Sequence, residues 1–113
     1  MRMWMIEPGK LCRQHLLGEH FEIHKAVGNL RHSGKWTKSL TERGFLEPQN
    51  FLSRHDELAA EMEKRGFNHN SSLDVSGVDL PFGKVDINKS IDDLGVRCGE
   101  CKVFTEMKGG ERK

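Results

Sequence analysis

At 113 residues, with 35% hydrophobic and 31% charged residues and a mean hydropathy of −0.65, the chain has room for one modest core beneath a large polar surface. No apolar run approaches the roughly 20 residues that span a bilayer. Glu7, Pro8 and Gly9 interrupt the opening before a signal-peptide core can form, so a soluble, intracellular (cytoplasmic) protein of one domain is expected. A net charge of +1 does not call for a polyanionic partner, but residues 1–46 hold eight Lys or Arg against four acids, a net of +4 that leaves −3 for the rest. A basic front half is a mild pointer to phosphate contacts.

Along the chain, Pro8-Gly9 closes a short extended arm. From Lys10 to about Arg31 the apolar residues Leu16, Leu17, Ile23, Val27 and Leu30 recur at helical intervals, which predicts one long helix stopped by Ser33-Gly34. Trp36 and Leu40 share a face of a short helix closed by Gly44, and Phe45, Leu46, Phe51 and Leu52 read as apolar packing under a loop, with Pro48 where a first turn tolerates proline. Ser53 and Asp56 have the spacing of a capping box in its weaker aspartate form. They predict a helix over about 54–65, with Glu61 pairing with Lys64 or Arg65 and Gly66 as its stop. Residues 68–83 read as loop. Ile87, Ile91 and Leu94 then predict a helix from about Asp86 to Leu94, terminated by Gly95. The expected class is therefore mainly α: a compact domain of about three packed helices with long loops, and a flexible tail from about residue 105.

On the first predicted helix His15, Glu19, Glu22 and Ala26 share one face, with Gly18 among them and Lys25 and Asn29 at its edge. The stripe has two readings. One is a solvated face with His15–Glu19 and Glu22–Lys25 pairs, each worth a few tenths of a kcal/mol. The other is an active-site face with Glu22 as acid/base and His15 in support. A mid-helix glycine, which costs up to about 1 kcal/mol relative to alanine, suggests close approach by backbone or ligand at Gly18.

These residues carry a resemblance. QHLLGEHFEIHK at 14–25 followed by VGNLR at 27–31 resembles the active-site helix of the pyrimidine-dimer DNA glycosylases, the endonuclease V family of phages and some microbes. ELAAEMEKRGFNHN at 57–70 is similar to that family's second helix and the turn after it. The resemblance implies base excision from damaged double-stranded DNA and strand cleavage by β-elimination, through an imine formed at C1′ of the sugar by the chain's own α-amino group. Carried over by position, the nucleophile is the amine of Met1, the assisting glutamate is Glu22, the neighbouring histidine is His15 and the arginine beside the nucleophile is Arg2; Glu19, on the same helix face, is a further supporting candidate. Because Arg2 follows Met1, the initiator methionine is expected to be retained, and the register from the helix then places it at the nucleophile's position. An α-amine, with an unperturbed pKa of about 7.7–8.0, is partly neutral and nucleophilic near neutrality. Lys25, Arg31 and Lys35 are the candidate DNA-phosphate contacts.

The sequence also departs from the family pattern. Phe21 stands where an arginine is frequent, there is no tyrosine for an aromatic tail, and the segment between the matched helices is short. Pyrimidine dimers and abasic sites both stand as substrates. No cofactor is required by this reading, and a monomer is expected. Cys98 and Cys101 form half of a zinc site that Cys12, with His15, would complete; a link between two chains or reduced packing cysteines are the other readings. The rival function is a non-catalytic DNA-binding or interaction module with a zinc-stabilised tail.

Overall fold

The computed structural model describes residues 3–69 and 72–97, and Met1, Arg2, Cys98, Cys101 and the expected tail lie outside them. Four α-helices follow one another: α1 (Arg13–Leu30), α2 (Lys35–Glu42), α3 (Phe51–Lys64) and α4 (Ile87–Arg97). Two single-turn 3-10 helices, Pro8–Lys10 and Pro48–Asn50, each begin on proline, whose fixed φ suits a first turn. No strand occurs among the described residues, and the mainly α reading holds with four helices instead of about three.

The long helix forms because its apolar stripe is needed inside. Leu16, Ile23, Ala26 and Val27 join Phe51, Leu58 and Met62 of α3 in one core, with Met3, Trp4, Ile6, Leu11, Leu40, Leu46, Val85 and Leu94. α1 packs against both α2 and α3. The buried Thr37 ties α2 to α1, its amide donating to Asn29 Oδ1 at 3.0 Å and its hydroxyl to the Ala26 carbonyl at 3.2 Å. Arg65, at the end of α3, pairs with Glu61 at 2.7 Å and donates to the carbonyls of Pro8 and Leu11, which fixes the N-terminal arm against α3.

Two helix ends follow the same rule. After α3, Gly66 sits at φ +87°, the Gly66 amide donates to Glu63 and the Phe67 amide reaches back to Met62. After α2, Gly44 at φ +81° and Phe45 repeat the pattern on Thr41 and Leu40. A left-handed residue after the last turn satisfies the orphan carbonyls, and glycine takes that conformation without a Cβ clash.

Three local expectations are corrected. The Ser53/Asp56 capping box does not form: the proline-led turn at Pro48–Asn50 starts α3 at Phe51, and the Ser53 hydroxyl donates back to the Asn50 carbonyl. α4 runs through Gly95 to Arg97; one helical glycine costs only about 1 kcal/mol and need not end a helix. Leu52 is 44% exposed, because α3 has already begun and turns it outward.

Candidate active site

The two sides of α1 carry different chemistry. On the side of the polar stripe, Glu19 is buried and held by Arg54 of α3 through two guanidinium–carboxylate contacts, at 2.5 and 2.9 Å. Fork geometry matches a carboxylate and compensates for removing both charges from water. Arg54 also lies 3.5 Å from Glu57. Glu19 is thus a structural anchor beneath its neighbours on the stripe.

Glu22, one helical turn on, is half-buried, and its Oε2 is buried with no hydrogen-bond partner among the described residues. Burying an acceptor without a partner costs about 1–3 kcal/mol, more for a charged group. Such an atom in a folded protein asks for an explanation in function or in a group that joins it. His15, half-buried on the same side, has Nδ1 3.1 Å from Cys12 Sγ and meets the buried Trp4 edge to face, ring centroids 5.7 Å apart. Trp4 belongs to the N-terminal arm, whose Met3 is fully buried with its amide donating to the Phe45 carbonyl at 2.8 Å. The arm is therefore fixed in the core from its third residue. Gly18, on the same stripe, has open space where a Cβ would stand, with nothing within 4 Å among the described residues.

The remaining sequence-derived candidates are spread over the surface. Lys25 is exposed, its Nζ lying 5.3 Å from the centre of the Trp36 ring. Lys35 is exposed as the first residue of α2. Arg31 is exposed but occupied: its guanidinium donates to the carbonyls of Asp74 at 2.6 Å and Ser76 at 3.2 Å. Phe21 is 63% exposed beside Glu22.

The family profile of the pyrimidine dimer DNA glycosylases matches residues 1–75, a span holding α1, α2, α3 and the polar stripe. The chain belongs to the pyrimidine dimer DNA glycosylase family. It is thus a DNA-repair glycosylase whose partner is damaged DNA. No curated protein and no solved structure matches the chain. Among the described residues of this glycosylase, no helix is long and apolar enough to cross a membrane.

Four histidines with no role in the sequence reading meet on the other side of α1. His20 and His24 are one turn apart on α1, His55 comes from α3, and His69 follows the turn after α3. His20 Nε2 lies 3.1 Å from His55 Nε2 and 2.8 Å from His69 Nε2, and His55 Nε2 lies 3.1 Å from His24 Nε2. Burial, then the charges of His55, His24 and His69, lower the His20 pKa from 6.5 to about 4. His24 is lowered too, by burial and then by His55 and His69. The i,i+4 pair was the visible signal. The other two rings are 31 and 45 residues further on than His24, and only the fold brings them in.

Proposed function

We propose that this glycosylase removes a damaged base and then cuts the strand, with the α-amine of Met1 as nucleophile and Glu22 as the acid/base group. The amine nitrogen attacks C1′ and the glycosidic bond breaks with its electron pair leaving on the base; one amine proton then passes to O4′ as the C1′–O4′ bond breaks, which leaves the opened sugar as a cationic imine. The Glu22 carboxylate stabilises that cation and takes the C2′ proton; the C3′–O bond then breaks, with the phosphate as leaving group. The observation that carries this reading is the Glu22 Oε2 atom, buried and without a partner among the described residues, on a stripe that the family match covers. The N-terminal arm pinned in the core at Met3 and Trp4 supports it, since Met1 stands two residues before a fixed point. Lys25 and Lys35 supply exposed positive charge for phosphates, while Arg31 is engaged with the Asp74 and Ser76 carbonyls. Reaching C1′ requires a nucleotide displaced from the stack, which costs least at a lesion.

Borohydride trapping tests the mechanism. Protein with a free Met1 amine is expected to become covalently linked to duplexes carrying an abasic site or a pyrimidine dimer, and an added N-terminal tag should abolish the adduct. Trapping that survives the tag would remove Met1 from the mechanism. Trapping on abasic DNA alone would restrict the substrate to abasic sites.

A further inference from the structure

We propose that His20, His24, His55 and His69 bind one divalent transition-metal ion, Zn2+ by preference, which clamps α1 to α3 and to the segment behind α3. One nitrogen from each of His20, His24 and His55 falls within 4.8 Å of the others, and His69 Nε2 approaches His20 Nε2 at 2.8 Å. Zinc–imidazole bonds of about 2.0–2.1 Å in a tetrahedron place ligand nitrogens about 3.3 Å apart. The 2.8, 3.1 and 3.1 Å separations lie within a few tenths of an ångström of that spacing; His69, which meets the His20–His24–His55 group through His20, must shift toward the other two rings to become the fourth ligand.

Hydrogen bonding alone does not account for the cluster. Each Nε2 carries either one N–H or one in-plane lone pair. His20 Nε2 and His55 Nε2 each face two other ring nitrogens, so the three short contacts run in a line, His69–His20–His55–His24. At most two of the three can hold a linear hydrogen bond, and the third brings nitrogen against nitrogen with no proton between them. A cation at the centre turns all four lone pairs into ligands at once.

A second observation points the same way. His55 Nδ1 lies 3.0 Å from Asp56 Oδ1. A carboxylate can only accept, so Nδ1 carries a proton, which leaves Nε2, facing the other histidines, as the nitrogen whose lone pair a metal ion would take. A carboxylate behind a ligating imidazole is the usual outer partner of a metal-bound histidine. An all-imidazole donor set suits zinc, copper, nickel or cobalt and disfavours the oxygen-seeking magnesium and calcium. Four protein ligands leave no open position, which fits a structural ion. The cluster lies across α1 from Glu22, since His20 and His24 are each two residues from it along the helix. The ion therefore needs no part in base excision, and its test is independent of that chemistry.

Full-length protein stripped with a chelator is titrated with Co2+ alone and with Zn2+ alone. One ion per chain is expected, giving the visible bands of tetrahedral cobalt without thiolate charge transfer, displaced by Zn2+ and accompanied by a rise in melting temperature. His24→Gln and His69→Gln, at the half-buried rim, should fold and weaken binding by about tenfold or more, and Asp56→Asn by about 10–100-fold. Cys98→Ser with Cys101→Ser should leave the cobalt spectrum unchanged. The proposal is overturned by the absence of stoichiometric binding, or by binding that survives both rim variants. A spectrum lost with the cysteines and kept without the histidines overturns it as well. Should His20→Gln or His55→Gln fail to fold, the rim variants still decide.

Discussion

Glu19 and Glu22 are neighbours on one face of one helix, and the fold treats them oppositely. Glu19 is fully enclosed and answered by the Arg54 fork; Glu22 is half-enclosed, with one oxygen unanswered among the described residues. The difference separates the two uses a buried carboxylate can have. A carboxylate whose lone pairs are filled locks two helices in register, and one with an open lone pair can take a further group. Sequence spacing alone makes them equivalent, and only Arg54, 35 residues beyond Glu19, tells them apart.

Three substitutions or conditions probe that contrast. The largest effect is expected at Glu22: Glu22→Gln should bind lesion-containing duplex as the parent does, lose about 10²–10⁴-fold in excision rate, and melt no lower. Unchanged excision in single-turnover assays would make Glu22 a second structural acid. Arg54→Met should do the reverse. Leaving Glu19 buried and unpaired is expected to cost about 3–5 kcal/mol in urea denaturation; a loss below about 1 kcal/mol would mean that the fork contributes little to the α1–α3 contact.

The smallest effect belongs to the histidine side of α1. In metal-free protein the folded-state pKa of His20 is depressed from 6.5 to about 4, so between those values the unfolded chain takes up a proton that the folded chain refuses. Stability should be full above pH 6.5, fall as the pH drops through that window, and gain no further slope from His20 below about 4. His24 adds in the same direction. Urea melts of the parent and of His20→Gln, each compared across the window, isolate the effect. An identical pH slope in the two proteins would show that His20 is not buried among the other rings.

Much of the fold was legible because its signals are local. The apolar periods of α1 and α3 and the glycines at 34, 44 and 66 lie within a few residues of the elements they shape. The start of α3 was misplaced because two local signals competed, and the proline-led turn at Pro48 prevailed over the Ser53 box. On α1, the place of Glu22 on the polar stripe was legible from helical phase. The Arg54 partner of Glu19 and the meeting of His55 and His69 with α1 were not, because no local pattern records which distant side chains a packed helix will face.

Gly83 ties the segment that follows the family match into the core. A Cβ at that position would stand 2.3 Å from the Leu46 carbonyl oxygen and 2.6 Å from a Thr41 methyl, and its backbone is gripped on both sides by the Gln49 amide. Two residues later the Val85 amide donates to buried Glu47, and Val85 and Leu94 close the core. The family match ends at residue 75, before any of these contacts. The family match therefore stops short of the unit that folds, and a chain cut at residue 75 is expected to open its own interior.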